Sequence, residues 1–300
     1  MRLATYSEAG HDTEHLGLVL DGRIINVSVA ADLLGLSPVP DDMRGLIGGG
    51  EAALATARAV AAKLAGDREH GLSLELVRLR APIPHPARNV VCIGLNYADH
   101  VAESKSVVGA NVPKFPVFFS KPPSTVIGPG DAIPWHGAVS TSIDWEVELA
   151  VIIGRECRDV AEAAALECVF GYTVANDVTA RDLQQRHGQW YKGKGLDGFC
   201  PLGPVVLTAD EIGDPHALDI RLRVNGVEKQ RSNTRHLIFR IPRLIAEWSA
   251  GMTLYPGDIL LTGTPSGVGI GRTPPEFLKP GDVVEAEIPP IGVLRNTVGH

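Results

Sequence analysis

The chain has no C-x-x-C pair: its four cysteines, Cys92, Cys157, Cys168 and Cys200, stand apart in 300 residues. That spacing excludes a cysteine zinc site and a disulfide framework, and predicts buried thiols in a reducing compartment, the cytoplasm by default. Long apolar runs are missing too. The longest, around residues 149–153, is strand-sized, against the roughly 18–20 residues of a membrane span. The opening MRLATYSEAG lacks the charged segment and apolar core of a secretory signal, so none is expected. Positive charge is in deficit, with 28 Lys and Arg against 35 Asp and Glu, a net charge of −7. Nucleic acid and anionic membranes need clustered cations, so both are excluded as partners; a local basic pocket for a small acid is not. There is no internal repeat and no low-complexity tract.

Glycine and proline are plentiful, 33 and 22 residues, so turns are frequent and long helices cannot dominate. At roughly 150 residues per domain the length suggests two units. Residues 1–80 read as a small N-terminal α/β domain. Apolar runs at 16–27 flank Asp21-Gly22, a pair that favours a type I′ hairpin. A helix is predicted over 51–65, with Leu54, Ala57, Ala61 and Leu64 on one face and Gly66 as its stop. Ala81-Pro-Ile-Pro-His-Pro86 is a semi-rigid connector that places the boundary. Residues 81–300 are mainly β, with strands at 90–94, 117–119, 146–153, 171–175, 205–207, 220–224, 259–262 and 283–288. Helices are predicted over 159–170, with Asp159 and Glu162 at capping-box spacing, from near Thr179, and over 242–250 before Gly251.

The segment Asp144-Trp-Glu-Val-Glu-Leu-Ala-Val-Ile-Ile153 places acids where a core strand should be apolar. Side chains two apart share a strand face, about 6–7 Å apart, so Glu146 and Glu148 project together and Trp145, Val147 and Leu149 oppose them. Two adjacent anions repel and are costly to desolvate. A divalent cation offsets both costs, and carboxylate oxygens suit Mg²⁺, Mn²⁺ or Ca²⁺. A solvent-facing edge strand with alternating charge has the same pattern. Asp144 shares the parity, so spacing leaves open which of the three coordinate. Asp177, at a strand mouth in Gly171-Tyr-Thr-Val-Ala-Asn-Asp177, is a further candidate, or a plain turn residue.

Six ordered blocks carry a resemblance: Val90-Val-Cys-Ile-Gly-Leu-Asn-Tyr-Ala-Asp-His-Val-Ala-Glu103, Phe119-Ser-Lys-Pro-Pro123, Asp144-Trp-Glu-Val-Glu148, Asn176-Asp-Val-Thr-Ala-Arg-Asp182, Lys194 through Gly203, and Leu261-Thr-Gly-Thr-Pro-Ser-Gly-Val-Gly269. Over about residues 88–298 the chain resembles the fumarylacetoacetate hydrolase family. The resemblance implies an α+β, mainly β fold: a mixed β-roll catalytic domain behind a small N-terminal domain, usually assembled as a homodimer. It implies Mg²⁺ or Mn²⁺ held by Glu146, Glu148 and Asp177, and an active-site lysine at Lys194. It further implies substrate contacts at Arg181, Gln184 and Thr264, and a catalytic pair at His100 and Glu103.

The activity so implied is hydrolysis of a C–C bond in acylpyruvate-type 2,4-diketo acids, as in aromatic catabolism, through a metal-stabilised pyruvate enolate. Lys194 supplies fixed positive charge near the developing oxyanion. His100 and Glu103, three apart, share a helix face; the imidazole is a general base near neutral pH, and the carboxylate fixes its tautomer. Decarboxylation of oxaloacetate-like acids, or isomerisation or hydration of unsaturated 2-keto diacids, is the alternative within the family. A metal-stabilised binding scaffold without catalysis is the alternative outside enzymes. Gly263-Thr-Pro-Ser-Gly-Val-Gly-Ile-Gly271 lacks the Gly-Lys-Ser/Thr of a phosphate loop and reads as a turn lining the pocket. Specificity is expected from loops and from the N-terminal domain.

Overall fold

Short apolar runs between Gly and Pro pair into sheets, not bundles. A computed structural model describes residues 1–108 and 112–300. Among the described residues, twelve strands join one mixed sheet and five form a second. The fold is mainly β, as its periodicity predicts. At the centre of the large sheet lies Val147–Ile153, all seven residues buried. It pairs antiparallel with Val169–Asn176 and with Ile259–Leu261, beyond which lie Val90–Gly94 and Val117–Lys121.

Alternation along the central strand divides its side chains between two cores. Val147, Leu149, Val151 and Ile153 face one, with Ile220, Leu222, Val284 and Ala286 of the five-stranded sheet. Ala150 and Ile152 face the other, under Leu46, Ile47, Ala57 and Val60 of the N-terminal helices. Burying each such aliphatic side chain contributes about 1.5–3 kcal/mol, enough to hold the strand flanking the acids in register.

The hairpin forms as predicted, from His15–Leu20 and Arg23–Asn26, with Asp21 at φ 49° and Gly22 at φ 77°. The sheet runs across the proposed division at residue 80, because Arg2–Glu8 pairs antiparallel with Cys200–Thr208. Two helical expectations are corrected. Helix Gly50–Lys63 buries Ala53, Thr56, Ala57 and Val60, a face rotated from the predicted one, so Leu54 and Ala61 are only half-buried. Residues 159–170 do not form an α-helix. A 3₁₀ helix covers Glu162–Cys168 after Ala161, while Asp159 lies outside at φ 51° and accepts from the Gly251 amide. The helix expected near Thr179 starts two residues later, at Arg181–Arg186, because Thr179–Ala180 pairs with Ile143–Asp144. Helix Ile241–Ser249 matches its expected range.

Candidate active site

Three carboxylates converge where two central strands end. The ladder between Val147–Ile153 and Val169–Asn176 closes at Val147 opposite Asn176. One residue further, the Asp177 amide donates to the Glu146 carbonyl at 2.8 Å, and the Glu146 amide donates to Asn176 Oδ1 at 3.0 Å. Glu146, Glu148 and Asp177 are buried, with one oxygen of each lying within 4.8 Å of the others. An all-oxygen, all-anionic set of this size suits a hard divalent cation. The electrostatics agree. Burial pushes the Glu148 carboxyl well above the usual carboxylate range, and the charges of Asp177 and Glu146 push it further. Burial acts the same way on Glu146, but Lys194 and Arg181 outweigh it and bring its pKa down to about 2.

Cations surround this trio. Lys194, on helix Tyr191–Lys194, places Nζ 2.7 Å from Glu146 Oε2 and 2.7 Å from Asp177 Oδ2. Burial works against its charge, but Asp177 and Glu146 overcome this and raise its pKa. Its ammonium also lies 5.1 Å from the Phe119 ring centroid, a cation–π contact. Lys121, fully buried, donates to Asp177 Oδ1 at 2.6 Å and to the Val178 carbonyl at 3.0 Å. Lys121 lies in the Phe119–Pro123 block without a role implied by the resemblance; a lysine closing a core strand is its only local signal.

Arg181 is held on three sides. Nε donates to Asp144 at 2.8 Å and Nη1 to Gln184 Oε1 at 3.1 Å, while Nη2 forms an ion pair with Glu146 at 2.6 Å. Gln184 is thereby turned so that its amide N–H groups remain to donate elsewhere. Thr264 lines the cavity, but its hydroxyl donates to the Val147 carbonyl at 2.9 Å and accepts from Gln230 Nε2 at 2.8 Å. Gln230, which carries no local sequence signal, also accepts from the Val147 amide, so the five-stranded sheet braces the strand that carries Glu148.

His100 and Glu103 sit on helix Ala98–Val108, with Nδ1 3.4 Å from Glu103 Oε2. The Glu103 carboxylate accepts from the Gly267 amide at 3.1 and 3.2 Å. Gly271 leaves room for it: a Cβ there would stand 2.3 Å from the Glu103 carboxyl carbon. The cavity of about 460 Å³ brings together His100, Glu103, Glu146, Glu148, Arg181, Gln184, Lys194 and Thr264. Asp177 lies behind this wall. The apolar lining includes Ile93, Phe119, Trp190, Val268 and Ile270, with Trp190 edge-on to Phe119 at 5.2 Å. Among the described residues no lining side chain comes from 1–80, so the specificity expected from that region is not supplied within the chain's own cavity.

This arrangement can hold a cation, fix an acid beside it and exchange a proton with that acid. The fumarylacetoacetate (FAA) hydrolase C-terminal family model matches residues 89–299. Over 290 residues the chain is 44% identical to oxaloacetate tautomerase YisK of Bacillus subtilis, covering 95% of this chain and 96% of that protein. Among solved structures, a fumarylacetoacetate hydrolase from psychrophilic Exiguobacterium antarcticum aligns with TM-score 0.80 and 37% identity over 100% of this chain and 99% of that one. Maleylpyruvate hydrolase from Sphingobium sp. SYK-6, solved with manganese(II) and pyruvate, aligns with TM-score 0.77 and 32% identity over 100% and 99%. The chain belongs to the fumarylacetoacetate hydrolase family.

Proposed function

We propose that this protein is a Mg²⁺- or Mn²⁺-dependent tautomerase that interconverts the enol and keto forms of oxaloacetate-type 2-keto diacids. The observation that carries the reading is the single cavity shared by Glu146, Glu148, Lys194 and the His100–Glu103 pair. The relative named oxaloacetate tautomerase, 44% identical along nearly the whole chain, supports this substrate class.

Glu146, Glu148 and Asp177 would hold the cation, which when bound would supply Lewis-acid charge beside the substrate's oxygens. The protein's side chains do the rest. Lys194 adds fixed positive charge toward the C2 oxygen. Arg181 and the Gln184 amide are placed to hold the far carboxylate. Glu103 engages His100 Nδ1, which leaves Nε2 to exchange a proton with C3. Ketonisation releases the C2 hydroxyl proton to solvent and adds one at C3 from His100 Nε2, which regains its proton from solvent, so the protons balance and no bond between carbons breaks.

Hydrolysis of acylpyruvates is the second reading, supported by the maleylpyruvate hydrolase likeness, and there His100 takes a proton from attacking water. The two readings separate in one assay with added Mn²⁺. The enol ultraviolet band of oxaloacetate should decay faster with enzyme, without release of pyruvate or CO₂. Release of pyruvate with CO₂ would make it a decarboxylase, and pyruvate with acetate from acetylpyruvate would favour the hydrolase. The absence of any metal-dependent turnover would leave the scaffold reading.

The same proposal includes a homodimer in a reducing compartment, the cytoplasm. All four cysteines are free thiols. Val117–Lys121 ends the large sheet, with Phe115 and Phe118 exposed beside it, an edge that a second copy can cover. Light scattering at micromolar concentration should give twice the 31.9 kDa chain mass. A single-chain mass would rule the dimer out.

A further inference from the structure

Asp144 is fully buried, stands outside the carboxylate trio and does not line the cavity. Its carboxylate nevertheless accepts four hydrogen bonds. Oδ1 takes the Trp145 amide at 2.8 Å and the Gly269 amide at 2.6 Å. Oδ2 takes the Ile270 amide at 3.0 Å and Arg181 Nε at 2.8 Å. Arg181 and Ile270 are cavity wall. The loop containing Gly269 and Ile270 also carries the Gly267 amide, which holds Glu103. One anion therefore joins the arginine beside Glu146 to the loop that fixes the partner of His100.

We propose that Asp144 is a positioning residue that locks Arg181 and the 267–271 loop into one geometry, keeping the acid-holding and proton-transfer sides of the cavity in register. This rests on the reading of His100 and Glu103 as the proton-transfer pair. An ionised carboxylate is acceptor-only and satisfies all four donors. An asparagine offers one oxygen and turns an NH₂ toward two of them.

The test uses the full-length, Mn²⁺-loaded protein. Asp144→Asn should bind Mn²⁺ like the wild type, because no metal oxygen is removed. Its kcat on oxaloacetate enol should fall about 10–100-fold, the usual loss on removing a residue that orients a site's first ligands. On a Glu103→Ala background the same substitution should cost less than about threefold, since both changes disable one unit. A purely structural role would instead let the two losses multiply, and that outcome overturns the proposal. So would loss of Mn²⁺ comparable to that of Glu146→Gln.

Amide hydrogen exchange at Gly267 reads the same coupling without turnover. That N–H faces Glu103 and not Asp144, so it should exchange faster in Asp144→Asn; unchanged exchange refutes the coupling. If the wild type turns over no 2-keto acid, the proposed function fails, and the exchange result alone decides the role of Asp144. Should Asp144→Asn fail to fold, Asp144→Glu keeps the charge and enters the same cycle with the same criteria.

Discussion

Glu148→Gln and Glu146→Gln are each expected to lose bound metal and turnover together. Glu146, Glu148 and Asp177 each present a buried oxygen within 4.8 Å of the others. Replacing a glutamate of this trio by an amide removes a carboxylate oxygen from the set that would hold a divalent ion, which a change at Asp144 does not. Affinity for Mn²⁺ should drop on the order of 10³-fold, because oxygen sites change by decades with ligand charge. The wild-type site should also bind metal more tightly as pH rises. Burial first, then Asp177 and Glu146, keeps a proton on Glu148 above the ordinary carboxylate range, and an incoming cation must displace it. One displaced proton makes affinity climb up to about tenfold per pH unit from the usual carboxylate pKa to the raised one, then level off.

The stability of the metal-free protein has the opposite slope. Its folded form holds that proton while the unfolded chain has released it, so stability falls as pH rises through the same window. Calorimetric Mn²⁺ titrations at several pH values, in two buffers of different ionisation heat, count the proton directly. Full activity in Glu148→Gln, or activity that survives exhaustive chelation without added metal, would sink the metal site.

His100→Ala is expected to keep metal and substrate binding while kcat falls about 10²–10⁴-fold, the scale of general acid–base removal. The ring is buried, it lines the cavity, and its Nδ1 faces Glu103 at 3.4 Å. That separation is long for a hydrogen bond and is expected to tighten over bound substrate. Glu103→Ala should lose as much or less, since it orients and charges the imidazole without moving the proton itself. The two losses should not add. Stopped-flow decay of oxaloacetate enol and pyruvate release from acetylpyruvate, each with wild type and variant, decide the matter. Equal rates in both assays would remove His100 from the chemistry.

Local pattern was enough for a good part of this protein. Alternation over Trp145–Leu149 put Glu146 and Glu148 on one face against an apolar one, because strand parity depends only on neighbours two residues away. The Asp21-Gly22 hairpin and the helix before Gly251 were legible for the same reason, since turn and stop signals act within a few residues. Asp144 was not legible. By parity it belongs with the two glutamates, yet the pairing breaks between Ile143–Asp144 and Val147–Ile153. The first piece pairs with Thr179–Ala180, which sends the Asp144 carboxylate to Arg181 and away from the trio.

Lys121 and Gln230 escaped for a related reason. Lys121 reaches an acid 56 residues later, and Gln230 braces a strand 83 residues earlier. Which side chains share a face, and which chemistry they suit, follows from local order along the chain. Which charges meet does not, because partners this far apart are brought together by sheet register and packing, and neither leaves a period in the sequence.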